Sequence, residues 1–290
     1  MKNALPALLA LLALAGCRDA ERVAIHTGEA MGTSYRIKTV GNVRIDRLGI
    51  EEMLARFDRD LSTWRDDSWL AEFNRAPAGT TMTLPESVAV LLEMSEIHHA
   101  DTDGRFDPTI GALIRAWGFG AWRGERTRDP TDEEIAAARK ASGFHRLHIE
   151  GSHITKLHDG LMLDFSAIAK GHAVDLIGEM LHAAGCHDFI IDFGGDVLAH
   201  GNAPGRQGWR VAGPALDAPV TLKNEAIASS GSDHQFRDRH SHIIDPRSGR
   251  PVAVGHAVSV TAPTCAEADA LATAKWIESA AARTPPSTSE

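Results

Sequence analysis

Apolar residues recur at helical spacing in several stretches of the chain. In residues 47–62 they stand three, four or five positions apart, which predicts an amphipathic helix. A second helix is expected to begin near Pro85, because proline suits the first turn. A third is expected after Thr131, where Glu134 three residues later completes a capping box. The apolar faces of the first two are Leu48, Met53, Leu54, Phe57 and Leu61, and then Val88, Leu91, Leu92 and Ile97.

Strand patterns begin near the middle of the chain. Residues 144–149 and 152–157 flank Gly151 and predict a hairpin, and residues 161–165 predict a buried strand. Further strands are expected at 189–193, closed by Gly194 and Gly195, and near 209–212, 225–229, 242–244 and 256–262; helices are expected at 167–184, ending at Gly185, and after Pro263. Because strands and helices do not alternate regularly, the pattern favours the α+β class.

The first residues resemble a bacterial lipoprotein leader. Lys2 precedes an apolar stretch from Leu5 to Ala15, which is shorter than the roughly 20 residues of a membrane-spanning helix. It ends in Leu-Ala-Gly before Cys17, so we expect cleavage there and lipidation of Cys17. The alternative is an ordinary signal peptide with a chance cysteine.

This leader sets the expected organisation of the chain. We predict a signal peptide at 1–16, a lipid-anchored tether at 17–30, one domain at 31–282 and a disordered tail at 283–290. The protein is expected on the periplasmic side of the bacterial cell membrane, the inner membrane being favoured over the outer.

Composition excludes some classes of function. The 290 residues include 30 lysines and arginines against 39 acidic residues, for a net charge of −9, so a broad nucleic-acid surface is not expected. Three cysteines are too few for a disulfide scaffold. With Cys17 lipidated, Cys186 and Cys265 are left, and whether they pair stays open.

Two motifs could bind a phosphate and a metal. Asp164-Phe-Ser-Ala-Ile-Ala-Lys-Gly lies where a predicted strand meets a helix, and such a junction points free N–H groups at an anion. Ser166 is expected to cap this helix, and Lys170 adds a cation. Asp269 and Thr273 lie four residues apart on the last helix, so their oxygens share a face and suit Mg²⁺. Taken singly, each motif is better explained without a ligand: the first by a capped helix with an exposed lysine, the second by a solvated aspartate and a packed threonine.

Other segments offer a base and aromatic rings. His242 precedes the turn residues Asp-Pro and Ser-Gly, and it could act as a base or simply pack. Trp64 and Phe106 could stack on a planar ring or belong to the core. His234, His240 and His242 cluster in sequence, but without a His-Glu-x-x-His helix a zinc enzyme is not favoured.

Together, the order and spacing of these motifs, with Met31-Gly-Thr-Ser-Tyr near the start, resemble the ApbE family of FAD:protein FMN transferases. The resemblance runs from Met31 to about Thr273. It implies a fold related to the T-fold, with a two-lobed core of antiparallel sheet and packed helices and the site between the lobes. It also implies Mg²⁺-dependent cleavage of FAD, transfer of FMN to a threonine hydroxyl of an acceptor protein, and release of AMP.

The resemblance also implies roles for individual residues. His242 is expected to be the general base for the incoming threonine. The positions that match FAD-contacting residues are Met31, Trp64, Arg105, Phe106, Asp107, Asp164, Lys170 and Ile244, and those that match metal ligands are Ala167, through its carbonyl, Asp269 and Thr273.

The chain departs from the family pattern at several places. An acidic metal ligand that many members carry just before the threonine is Ala272 here. The chain also stops some tens of residues earlier than is usual, so we expect a closing sheet element to be missing. These departures keep two alternatives open, an FAD pyrophosphatase and a flavin-binding or trafficking lipoprotein without catalysis.

Overall fold

The computed structural model describes residues 22–213, 215–231, 236–237, 240–252 and 257–283, with the side chains of 236–237 and 281–283 left aside. The predicted signal peptide, Cys17, the first part of the tether and residues 284–290 lie outside this range. The strands are β1 Val23–Ala30, β2 Thr33–Val40, β3 Thr81–Thr83, β4 Leu147–Glu150, β5 His153–Lys156, β6 Phe189–Phe193, β7 Asp196–His200, β8 Trp209–Val211, β9 Val220–Leu222, β10 Glu225–Gly231, β11 Phe236–Arg237, β12 His240–Ser241, β13 Ile244–Asp245, β14 Arg250–Pro251 and β15 Ala257–Ala262. The helices are α1 Arg47–Leu61, α2 Trp69–Arg75, α3 Glu86–Asp101, α4 Gly111–Trp117, α5 Asp132–Ala141, α6 Ala169–Ala183 and α7 Cys265–Arg283.

A six-stranded antiparallel sheet forms the centre of the fold, in the order β1-β2-β6-β7-β10-β15. Alternate residues of each strand face opposite sides. Tyr35 and Ile37 of β2 lie on the buried side, opposite Phe193 and Ile191 of β6. The residues between them on β2 and β6 face a cleft. The sheet therefore separates the core from the candidate site.

Helices α6 and α7 cover the buried side of the sheet. Helix α7 contacts β10, β15 and α6, and its alanines at 266, 268, 270 and 272 are fully buried. Small side chains on several sides allow a helix to approach its neighbours closely, because little separates the backbones. Trp276, further along the same helix, is also fully buried.

The central sheet with α6 and α7 forms one lobe of the fold. The second lobe is built from the segments between β2 and α6. Helices α1, α2 and α3 pack on the main core, and the small sheet β3-β5-β4 lies beside them. Helices α4 and α5 form a separate apolar cluster with Ile110 and Ile244. This arrangement brings Ile244, far along the chain, against α4.

Most elements predicted from periodicity are confirmed. Helices α1, α3, α6 and α7 and the hairpin around Gly151 lie within a few residues of the expected bounds. Thr131 caps α5, and both hydrogen bonds of the capping box with Glu134 are formed. The turn at Gly194 and Gly195 joins β6 to β7, and both glycines have positive φ. The mixed helices and antiparallel sheets confirm the α+β class.

Leu48 and Ile97, predicted on the apolar faces of α1 and α3, are exposed, and four predicted segments or caps differ from the structure. Residues 23–30, expected in the tether, form the edge strand β1, whose residues are mostly exposed and so resemble a polar linker. The expected strand at 161–165 is buried but makes only an isolated bridge, since the amide of Asn74 binds both backbone groups of Leu163. The strand at 242–244 is divided between β12 and β13. Ser166 does not cap α6, which begins after Ile168 without a side-chain cap.

The described residues answer two narrower questions, on membrane-spanning helices and on cysteine pairing. No helix in the described part of the chain is long and apolar enough to cross a bilayer. Cys186 and Cys265 are both free and buried, so they do not form a disulfide in this structure.

Candidate functional site

A cleft of about 830 Å³ lies between the open side of the central sheet and the second lobe. Its volume falls within the range of pockets that hold whole cofactors. Eleven of the twelve residues singled out in the sequence line it: Trp64, Arg105, Phe106, Asp107, Asp164, Ala167, Lys170, His242, Ile244, Asp269 and Thr273. Because these residues come from widely separated parts of the sequence, the fold assembles the site.

Met31 is the exception. It occupies the turn between β1 and β2, where Met31 and Gly32 both have positive φ. The turn lies against α1, and Met31 lines a second cavity with Glu51, Leu54 and others. The structure thus separates Met31 from the remaining candidate residues.

The segment before α6 forms one wall of the cleft. The carboxylate of Asp164 accepts the N–H of Ser166 at 2.8 Å, and the backbone N–H of Asp164 donates to Pro108. These bonds fix the loop that carries Ala167. Lys170 lies in the first turn of α6 and forms an ion pair with the buried Asp196 of β7. The junction therefore presents a helix N-terminus and a cation to the cleft.

Asp269 and Thr273 approach this junction from α7. Asp269 is 8% exposed, and its Oδ2 accepts the N–H of Gly171 at 3.4 Å. The hydroxyl of Thr273 lies 3.2 Å from that of Ser230. Burial raises the pKa of Asp269, while the ammonium of Lys170 opposes the shift. A bound cation would stabilise this buried carboxylate in its charged form.

The donor set fits a hard divalent cation. A carboxylate, a hydroxyl and a carbonyl are the oxygen ligands that Mg²⁺ takes, and Mg²⁺ commonly keeps several waters. Within the described residues, no group of three or more histidine, cysteine, aspartate or glutamate side chains is placed to hold a metal. Ala272, where the family resemblance led us to expect an acidic ligand, has a fully buried side chain and is not part of the cleft lining.

His242 lies between β12 and β13, at the edge of the cleft. Its ring packs edge-on against Trp276 of α7, with 6.4 Å between the ring centroids. His240 faces elsewhere, because its ring contacts Trp117 and its Nε2 lies 3.0 Å from Asp129. The rings of His242 and His240 therefore have different neighbours. His234 lies outside the described residues.

The aromatic candidates differ in exposure. Trp64 is 69% exposed at the cleft, so its ring is free to stack on a planar ligand. Phe106 is 3% exposed and packs edge-on against His98, which makes it a core residue that borders the cleft. Asp107 accepts both the N–H and the hydroxyl of Thr109, and burial raises its pKa.

The sequence reasoning missed a group of cations. Arg36 and Lys38 alternate with buried residues on β2, and Arg210 lies on β8; all three line the cleft. The alternation of apolar and polar residues from Tyr35 to Thr39 was the available signal, since it predicts a strand with one open face. With Arg105 and Lys170, these residues place positive charge in the cleft of an acidic chain.

A large cleft with a helix N-terminus, several cations and hard oxygen donors has the chemistry to accommodate a large phosphorylated ligand. The model of the ApbE family matches residues 31–283. An FAD:protein FMN transferase of Vibrio cholerae is 34% identical over 294 residues, covering 94% of this chain and 86% of that protein. The Escherichia coli enzyme of the same name is 31% identical, covering 87% and 77%. The chain belongs to the ApbE family.

Solved structures agree with this assignment. The apo form of the flavinyl transferase ApbE from Pseudomonas stutzeri superposes with a TM-score of 0.80 at 35% identity, covering 89% of this chain and 85% of that one. The flavin transferase ApbE from Vibrio cholerae gives 0.78 at 31% identity, covering 89% and 87%. The resemblance found in the sequence is thereby confirmed.

Proposed function

We propose that the protein is an FAD:protein FMN transferase, which cleaves FAD and transfers FMN to a threonine hydroxyl of an acceptor protein, releasing AMP. The observation that carries the proposal is the meeting of the α6 junction, α7 and His242 in one cleft of a chain that belongs to the ApbE family. Its curated relatives are named for this activity.

Different residues of the cleft would bind different parts of FAD. Trp64 offers an exposed ring for a flat part of FAD, and Arg105 and Lys170 offer cations for its phosphates. The first turn of α6 adds the positive end of its dipole. Phosphoryl transfer depends mainly on such positioning and charge stabilisation.

Asp269, Thr273 and the carbonyl of Ala167 would hold Mg²⁺. The ion would offset negative charge on the pyrophosphate. Since the three residues line the same cleft as Lys170, both cations would act on the same phosphates.

His242 is proposed as the general base. It takes the proton of the acceptor threonine, whose oxygen bonds to the phosphorus of the FMN half, and the bond from that phosphorus to the bridging oxygen breaks. AMP leaves with the bridging oxygen. Water in place of threonine would give free FMN and AMP, so acceptor seating decides between transfer and hydrolysis.

Replacing His242 tests this role. His242→Ala is expected to bind FAD with nearly unchanged affinity and to lose transfer by about 100-fold or more, because general-base catalysis contributes on this scale. Binding is measured by flavin fluorescence, and transfer by covalent flavin on an acceptor domain. His240→Ala is the matched control, since His240 faces Asp129 instead. Full transfer by His242→Ala would remove this residue from the mechanism.

We also propose a lipid anchor at Cys17, holding the enzyme on the periplasmic side of the bacterial cell membrane, with the inner membrane favoured. The lipobox-like Leu-Ala-Gly-Cys sequence supports it. Cys17→Ala is expected to release the protein into the soluble fraction, whereas Cys186→Ala is not, because Cys186 is buried in the fold. Membrane fractionation that is the same for both variants contradicts the anchor.

A further inference from the structure

Helix α7 carries both side chains proposed as metal ligands, and α6 holds its first turn. Asp175 of α6 accepts the backbone N–H of Cys265 at 2.7 Å through Oδ1 and that of Ala266 at 2.9 Å through Oδ2. One carboxylate on α6 is thus bonded twice to the start of α7. Asp269 follows one turn after Cys265 on the same helix.

Gly171, one turn before Asp175 on α6, brings the two helices together at the same place. A Cβ atom on Gly171 would lie 2.8 Å from the Cα of Ala266 and still closer to the carbonyl of Cys265. Since both neighbours are backbone atoms, they could not move without shifting α7. The N–H of Gly171 also donates to Oδ2 of Asp269. The contact that fixes the helices therefore adjoins the carboxylate of the proposed metal site.

We propose that Asp175 is a positioning residue for the Mg²⁺ site, which holds α7 in register with α6 so that Asp269 stays beside Lys170 and the α6 junction. Asp175 is absent from the cleft lining, so it acts through α7 rather than on the ligand. The inference rests on the proposed function, which places Mg²⁺ at Asp269 and Thr273.

Helix capping alone does not account for Asp175. Thr264 already caps α7 locally, since its hydroxyl accepts the N–H of Glu267 at 3.3 Å. The carboxylate of Asp175 is also held in surroundings that disfavour its charge: burial raises its pKa to about 6, although the two backbone hydrogen bonds oppose this shift. Burying the charge of this second capping group costs free energy. Its role in fixing the position of α7 against α6 therefore explains it better than helix capping alone.

Asp175→Asn tests the role with little change in shape. The amide has one oxygen acceptor and one NH₂ donor, so it accepts one α7 N–H and opposes the other. We expect the affinity for FAD in the absence of Mg²⁺ to stay unchanged. The Mg²⁺ concentration at which the effect of Mg²⁺ on FAD binding is half-maximal is expected to rise about tenfold. FAD binding is followed by flavin fluorescence without acceptor, so the readout does not depend on turnover. Glu179→Gln, one turn along α6 and exposed, is the matched control.

Gly171→Ala provides a second route to the same result. It keeps every charge and pushes α6 away from α7, so the same rise in Mg²⁺ requirement is expected. Gly178→Ala is its control, because a Cβ there meets the end of the Leu198 side chain instead of α7. If Asp175→Asn does not fold, Gly171→Ala decides the question.

The outcomes separate the inference from the proposed function. If Asp175→Asn needs no more Mg²⁺ than the wild-type protein, the positioning role is overturned, although the wild-type response to Mg²⁺ stands. The same holds for Gly171→Ala where that variant decides. A wild-type chain whose FAD binding ignores Mg²⁺ contradicts the proposed metal site, and the inference falls with it. An equal rise in Glu179→Gln also overturns the inference, since it would show a general effect of charge on α6.

Discussion

The charged side chain of Lys170 in the cleft forms an ion pair with a residue from another element of the fold. Lys170 lies in the first turn of α6, and Asp196, which is 2% exposed, comes 26 positions later on β7. The turn at Gly194 and Gly195 leads into β7, whose first residue, Asp196, is within ion-pair distance of the lysine. The cation proposed to bind phosphate is thereby paired with a buried carboxylate, which restricts the orientation of its side chain.

Removing this cation should leave Asp196 buried without its partner. Lys170→Met is expected to lower the free energy of unfolding by about 3 kcal/mol, since breaking a buried ion pair strands the remaining charge. Adding Asp196→Asn should recover at least half of the loss, because the stranded charge is then gone. Urea unfolding of the single and double variants measures both values. A double variant no more stable than Lys170→Met would show that the pair is not energetically coupled.

At the scale of elements, local sequence decides where helices begin and end. Helix α5 illustrates this, because Thr131 and Glu134 satisfy each other's backbone N–H groups as the capping pattern predicts. The helix supports the cluster that holds Ile244, and a Cβ on Gly249, in the turn after β13, would collide with the side chains of Ile135 and Arg139 of α5. Helix α5 thus packs against the segment that follows His242.

Loss of the α5 cap should have a small and local effect. Thr131→Ala is expected to destabilise the protein by about 1 kcal/mol, the usual value for a lost N-cap. Thr127→Ala is the control, since Thr127 is exposed and lies before the helix. Chemical unfolding compares the two; equal stabilities would mean that α5 does not depend on its capping box.

The elements also show what the sequence could and could not reveal. Periodic helices and glycine turns were predictable, because their signals are local. The edge strand β1 was missed since only one of its residues is buried, and the segment 161–165 was misassigned because its partner is the side chain of Asn74, 89 positions away. The cluster of candidate residues in the cleft followed from family resemblance. The alternation around Arg36 and Lys38 indicates a strand with one open face, but no local pattern shows the sheet pairing that places these two residues and Arg210 at the same cleft.

At the scale of the whole molecule, the net charge and the site differ in sign. The chain carries a net charge of −9, yet its cleft is lined by five arginines and lysines and by a helix N-terminus. Four aspartates share the lining, and one of them, Asp269, is a proposed ligand of Mg²⁺. The balance suits a ligand with a doubly charged pyrophosphate and a bound cation, and it disfavours an extended polyanion.

The proposed transfer of FMN to a protein can be tested in a single reaction. Purified protein is incubated with FAD, Mg²⁺ and a flavin-acceptor domain, with a threonine-to-alanine variant of the acceptor as control. If the protein transfers FMN, flavin fluorescence stays on the intact acceptor after denaturing electrophoresis, one AMP is released for each flavin attached, and the acceptor variant carries no flavin. Free FMN and AMP without labelling, or FAD recovered intact, would contradict it.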